Sequence, residues 1–490
     1  MKNFKKTLNL TLLSIMVILI GFSSINYAMA DDVQNVNDSS NQYDNTDYDS
    51  SDYDEDDIVN TDMGSDDFDY EDEETCSYST SANNDDEDDD KDNNNGVKKI
   101  NVVAKDFVEE VKPNKVVYME AKKAYTVTGL KRKLNIQRSY VASGYIFVSQ
   151  SNSNGTTFLS RCELKGTTAT FKDEMKLVNF GHNQTLQFYS HNNKTYVLIG
   201  CKFNENNKKN TDKKDTDKPD DFGHGMTIQV GRIQYKAGTT ISNYTQINRM
   251  VRLDCANTSG KPFDTITDDD RKKSSNIKTV IQRMDASLSS NKKFLVLAVR
   301  SIHEHIQYSY YDFNVINNLL DKVEGKTPNY INCSDNTSIK NACKFSCVQK
   351  NGKRILPNKS CQGIDFTNAY SIYMSSGSGT NRNYKKGHYT NYMPKIAKMV
   401  KNNNGYDYAL CIRITNTYTS KTVKNKTTLP NYYMEIEGIQ NTADYLYFVL
   451  SYARVPKSTD KTVEDENHPE KNTTQYIYSL SKQDIEEKIS

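Results

Sequence analysis

The sequence lacks the short motifs that announce common catalytic chemistries. It has no phosphate-cradling P-loop, no His-Glu-x-x-His and no Gly-x-Ser-x-Gly. Walker-type nucleotide hydrolysis, zincin proteolysis and α/β-hydrolase chemistry therefore have no residues to carry them. Tryptophan is absent, and aromatic packing falls to 33 Tyr and 17 Phe. Past residue 30 no run is apolar enough to span a bilayer, which takes roughly 20 residues. No amphipathic helix long enough to insert in a membrane is visible either.

What is present divides into three stretches. Residues 1–30 read as a secretory signal peptide. Lys2, Lys5 and Lys6 open it, LNLTLLSIMVILIGF follows, and Ala28-Met29-Ala30 offers small residues for cleavage. Residues 31–97 read as a disordered acidic segment, because 26 Asp and Glu stand against one Lys over 31–95. Such a stretch cannot bury enough apolar surface to offset the entropy of ordering. Its role is expected to be a solvated spacer or a mask over basic surface. Residues 98–490 form the body.

The overall charge of zero hides this division: from residue 96 onward 59 Lys and Arg face 37 Asp and Glu, an excess of +22. A basic exported body is expected to gather on polyanions, meaning anionic cell-envelope polymers or glycans and a membrane surface. Export removes it from nucleic acid. No cofactor or metal is expected.

Nine cysteines agree with an oxidising compartment. Cys333, Cys343, Cys347 and Cys361 cluster in an insertion at 324–361 and are expected to form disulfides, with three pairings open. A zinc site is the alternative, but the paired short spacings of zinc motifs are missing. Cys162 and Cys201, on successive strand-like runs, are a further candidate pair, and Cys76 is left over.

The body reads as all-β. Runs such as YIFVSQS, TYVLIG, KFLVLAV and YLYFVLSYA alternate with turns of Asn, Ser, Gly and Lys. The one helical signal is DFNVINNLLDKV at 312–323, with Val315, Leu319 and Leu320 or Val323 at helical spacing. A unit recurs from Gln137, Gln184, Asp285, Gln362 and Glu437, at a mean step of 75 residues. Each opens on an amide or acid, then gives a short strand, a polar turn and a stronger strand. A Lys/Asp-rich insertion at 204–221 and the cysteine-rich one lengthen the steps. Five such units cannot bury their apolar faces singly but can do so radially. The expectation is a β-propeller of about five blades. A sixth blade hidden between Gln184 and Asp285, or a pair of β-sandwiches, are alternatives. In a propeller the opening residues would face the axis.

Several segments also resemble a known family. Gly181-His182-Asn183-Gln184-Thr185 with Phe188, the run from Lys293 to Lys322, Gln362-Gly363-Ile364-Asp365-Phe366, Glu435-Ile436-Glu437-Gly438-Ile439-Gln440 and TTQYIYSLS are similar, in order, to segments of the helveticin J family of large bacteriocins. The resemblance spans roughly 136–482. Leu186 stands where the family has an aromatic, and Arg283 where it has His. The resemblance implies a secreted antibacterial protein acting at the envelope of related bacteria, and the reading of it as non-enzymatic rests on the opening residues themselves. Which immunity protein would accompany it is not legible.

Two chemistries follow for the opening residues. Gln137, Gln184, Asp285, Gln362 and Glu437, with His182, are candidate binding residues, since amides both donate and accept hydrogen bonds to sugar hydroxyls. Alternatively the protein is a glycoside hydrolase using Asp285, Asp365 and Glu437, which would need a carboxyl pair about 5 to 9.5 Å apart. Three of the five opening residues are Gln, which can neither attack nor transfer a proton. The clusters Lys131-Arg132-Lys133 and Arg271-Lys272-Lys273 and the loop 375–389 read as solvated charge.

Overall fold

The computed structural model describes residues 113–206, 225–350, 356, 361–376, 394–415, 432–454 and 474–490. The expected signal peptide, the acidic segment with Cys76, and most of the 204–221 insertion and of the loop 375–389 lie outside them. The described chain is all-β with a few short helices, as expected.

Two strands come first, β1 (Lys115–Met119) and β2 (Lys122–Thr128). Five antiparallel ladders then follow in chain order. The first is β3 (Ile136–Val141), β4 (Tyr145–Ser151), β5 (Thr157–Lys165) and β6 (Thr168–Leu177). The second is β7 (Leu186–His191), β8 (Lys194–Phe203), β9 (Thr227–Ile233) and, beyond β10 (Thr240–Ile241), β11 (Asn248–Val251). The third is β12 (Ile281–Leu288), β13 (Phe294–Ser301), β14 (Ile306–Asp312) and, beyond β15 (Tyr330–Asn332), β16 (Cys343–Gln349). The fourth is β17 (Gly363–Phe366), β18 (Ile372–Ser376), β19 (Lys395–Lys401) and β20 (Tyr406–Ile414). The fifth is β21 (Tyr432–Asn441), β22 (Tyr445–Arg454), β23 (Gln475–Ser481) and then β2, which pairs antiparallel with β23.

The fifth ladder thus joins strands from both ends of the body. A three-residue parallel pairing of Thr126–Thr128 with Thr168–Thr170 joins the fifth ladder to the first, so the two make one nine-stranded sheet. β1 pairs in parallel with β20, β15 with β11 and β10 with β6, lengthening the outer edges.

Pleating explains where the core lies. Alternate side chains of a strand point to opposite faces. On β13, Leu295, Leu297 and Val299 enter one apolar cluster with Tyr196, Leu198 and Val230 of the second ladder. Val296 and Ala298, on the other face, enter another with Phe366, Met374 and Ala397 of the fourth. The same pattern repeats around the molecule. Phe147 and Leu159 meet Phe188 and Ile199 between the first and second ladders. Ile396 and Ile412 meet Leu446 and Phe448 between the fourth and fifth. Val449 and Ile477 meet Ile136 and Val148 between the fifth and the first. Every ladder is covered on both faces, which is why the central strands read as nearly unbroken apolar runs.

Local signals account for the connections. The hairpin between β7 and β8 turns on Asn192 (φ 48°) and Asn193 (φ 60°), residues that tolerate the left-handed region. The expected helix forms at Phe313–Val323. Asp312 caps it by accepting from Asn314 N and Val315 N, and Phe313, Ile316, Leu319 and Leu320 are buried on its inner face. No described helix is long and apolar enough to cross a membrane.

No disulfide joins the described cysteines, so the expected bridging of Cys333, Cys343, Cys347 and Cys361 is not formed. Cys333 and Cys343 belong to the apolar layer between the second and third ladders, and Cys361 and Cys347 to the next layer. Cys162 and Cys201 are likewise unbridged and lie in different layers.

Candidate functional site

The opening strands of the five ladders, β3, β7, β12, β17 and β21, adjoin one another in a closed order, with β21 returning to β3. Their apolar side chains serve the layers. Their polar ones meet in a buried hub with two levels.

The first level contains most of the expected opening residues. Gln184 Nε2 donates to Gln362 Oε1 (2.6 Å) and to Glu437 Oε2 (3.1 Å), and lies 3.3 Å from His182 Nε2. Arg283 donates to Gln184 Oε1 and clamps Asp285 through Nε (2.8 Å) and Nη2 (3.0 Å). Gln362 Nε2 donates to Glu435. Four of the five opening residues, with His182, therefore stand together. Gln137 stands apart, its Oε1 buried without a hydrogen-bond partner among the described residues.

The second level centres on Asp365. Its Oδ1 accepts from Gln187 Nε2 (2.8 Å), from Ser287 Oγ and from Phe366 N (3.1 Å), and its Oδ2 accepts from Asn441 N. Arg138 Nη2 lies 3.8 Å from Oδ1. These groups come from β7, β12, β17, β21 and β3, so one carboxylate is held by all five opening strands. Arg138 is fully buried and reaches this place by passing two glycines. A Cβ on Gly363 (φ 141°) would stand 3.2 Å from Arg138 Nη1, and one on Gly438 (φ 50°) 2.6 Å from Arg138 Cδ. Gly438 is the bulged residue of β21, one of three bulges in the opening strands, with Gln137 on β3 and Gln282 on β12.

Burial sets the charge of the hub. Glu437 is desolvated and faces Glu435, which together raise its pKa well above the carboxyl range against the opposing pull of Arg283 and the Gln184 bond. Both effects favour its protonated form. Desolvation and the Arg283 guanidinium push the His182 pKa down, so its ring is neutral. Burial lowers the Arg138 pKa against the attraction of Asp365 and Asp285. Among the described residues no group of His, Cys, Asp and Glu is arranged to hold a metal ion. His182 and Glu435 are the hub members of intermediate exposure, while Gln184, Gln362, Asp285, Asp365 and Glu437 are each 5 % exposed or less.

The hub residues that sequence reasoning missed are Arg138, Gln187, Ser287, Glu435 and Asn441, along with the role of Arg283. A signal for two of them was available. Ile136-Gln137-Arg138 recurs as Ile281-Gln282-Arg283, and each triplet carries a bulge at its Gln. The counterpart of Gln137 is therefore Gln282, not Asp285.

The fold and the hub define a class: an all-β protein whose ladders converge on a largely buried polar centre. The chain belongs to the helveticin J bacteriocin family, since the family model described as bacteriocin helveticin-J matches residues 110–468. No curated protein matches the chain. Among solved structures it is similar to the tail fiber of Staphylococcus aureus phage P68, at 12% identity and TM-score 0.37, over 74% of this chain and 52% of that one. It is also similar to Drosophila Semaphorin 2a, at 10% identity and TM-score 0.26, over 68% and 54%. The chain thus spans about half the length of either structure. A third similarity, at 7% identity and TM-score 0.17, is to the uncharacterized protein lmo1340 from Listeria monocytogenes EGD-e, over 76% of this chain and 70% of that one. At these scores the structural likenesses carry no argument.

Proposed function

We propose that the protein is an exported antibacterial protein of the helveticin J kind, with a five-bladed β-propeller body that attaches to anionic cell-envelope polymers. Family membership over 110–468 is the observation that carries this reading. The +22 excess from residue 96 onward supplies the attraction to polyanions. Each antiparallel ladder is a blade, and the pairing of β2 with β23 closes the last blade from both ends of the body. Five apolar layers between successive blades, and one carboxylate reached from all five opening strands, support that number over six.

The action is non-enzymatic. Asp285 is engaged by Arg283 at both oxygens, and Asp365 accepts at both. Neither has the freedom a nucleophile or general base needs. The raised pKa of Glu437 does favour a second reading as the general acid of a glycoside hydrolase. Its burial inside the hub counts against that reading, as does the occupation of both partner carboxylates.

The test is to apply the purified protein to related Gram-positive cells at low and high salt and follow attachment, killing, dye leakage and released wall sugars together. Salt-sensitive attachment with killing and no sugar release is expected. Salt-independent attachment would remove the polyanion reading, and released sugar would establish the hydrolase.

A further inference from the structure

A cleft of about 650 Å³ lies away from the hub, on the side where the first, second and third ladders meet. It is lined by Ser153 and Asn154 of the β4–β5 hairpin, by Asn179 and Phe203, and by Asn276, Lys278 and Glu205. Its volume is that of a small-ligand pocket.

The framework is tied down from all three ladders. Gly181 N donates to Gly155 O (2.9 Å) and Phe203 N to Asn179 O (3.1 Å). Asn204 Nδ2 donates to Gln282 O (2.9 Å), and Lys278 N to Asn206 Oδ1 (2.8 Å). Gly155 makes room for Phe203, because a Cβ there would stand 2.2 Å from the Phe203 ring. A cleft held in this way costs little ordering when it is filled.

The lining chemistry selects the ligand class. Lys278 Nζ and Glu205 lie 2.8 Å apart, so the one cationic side chain of the lining is already engaged by a carboxylate. The side-chain amides of Asn179 and Asn276 take no partner among the described residues and are exposed. Amides and the Ser153 hydroxyl both donate and accept, which suits hydroxyls and acetamido groups. Phe203 provides an apolar face beside them. We propose that this cleft binds a neutral oligosaccharide, a second recognition site independent of the charge-driven attachment.

The test titrates the full chain with the tetramer of N-acetylglucosamine, maltotetraose and mannotetraose, by calorimetry at 50 and 500 mM NaCl. At least one sugar is expected to bind with an affinity that changes by less than about twofold between the two salts, since no charge is involved. Phe203→Ala and Asn276→Ala should each weaken that binding about tenfold, as truncated pocket anchors do. Asn276 lies on an exposed loop, so its variant should keep the wild-type melting temperature and will report even if the Phe203 variant fails to fold. Absence of binding to all three sugars, binding lost at 500 mM salt, or full affinity in Asn276→Ala would each overturn the proposal. None of these outcomes touches polyanion attachment, which is read by its salt dependence on cells.

Discussion

Two kinds of interior lie side by side on each opening strand. On β12, Met284, Ala286 and Leu288 enter an apolar layer, while Asp285 and Ser287 between them enter the hub. Both are buried: Ile199 and Leu297 are 0 % exposed, and Gln184 only 2 %. The physics differs. The layers are held by non-directional burial, about 25 cal/mol per Å² of apolar area, and tolerate changes of shape that keep volume. The hub gains little from each bond, because folding only exchanges water for protein partners. It loses the full desolvation cost of any group left unpaired. Layers therefore supply stability, and the hub specifies that five strands arrive together in one register. A strand slipped by one residue would send its polar set into a layer and its apolar set to the centre.

This contrast is broken most directly at Asp365. Asp365→Asn changes volume very little, yet removes the first of the two anions that attract buried Arg138 and turns one acceptor into a donor facing other donors. It is expected to destabilise by about 3–5 kcal/mol, the cost of breaking a buried pair. Ile199→Val removes a methylene from a layer and should cost only about 0.5–1.5 kcal/mol. Urea denaturation of both reads the difference. Equal losses would mean that the hub is no more demanding than the layers. A smaller effect is expected at Gly438, where Ala would press on Arg138 and hold a left-handed backbone, for about 1–3 kcal/mol. If Gly438→Ala melts as wild type, the glycine does not serve Arg138's passage.

The sequence carried the layers more plainly than the hub. Apolar runs and turn residues announced strands, the helix at 313–323 and the recurrence of five units, because burial on both faces writes itself as composition. Four opening residues are legible through that recurrence: each stands just before, or within, the first strand of its unit. The hub roles of Arg138 and Arg283 are not legible from residue type alone, because arginine is mostly a surface residue. Only the bulges, which shift the pairing at Gln137 and Gln282, turn these side chains inward. Asp365 was read as a catalytic candidate, while its contacts come from strands up to 227 residues away (Arg138), a distance no local pattern encodes. The cysteines lie unbridged in apolar layers, where burial raises the pKa of Cys361 to about 12 and of Cys347 to about 11.

The finest test of the contrast uses Glu437, a hub group whose charge, rather than shape, is out of place. Its pKa is raised in the folded protein by desolvation and by Glu435. A raised carboxyl pKa contributes stability that is fully present below the unfolded value, about 4.3, and is lost as pH climbs toward the folded value. Between the unfolded and the folded value the unfolded chain has released a proton that the folded one keeps, so Glu437 weakens folding there. Glu437→Gln can still accept from Gln184 and has no proton to release. It should match wild type near pH 4.5 and become the more stable of the two as pH rises to 8, in urea midpoints measured at each step. Taking the difference between the two proteins cancels His182, whose depressed pKa acts in the opposite sense and only below about 6.5, the ordinary histidine value. A wild-type advantage that grew with pH would mean that the hub holds Glu437 as a paired anion, and that its interior is built around charge after all.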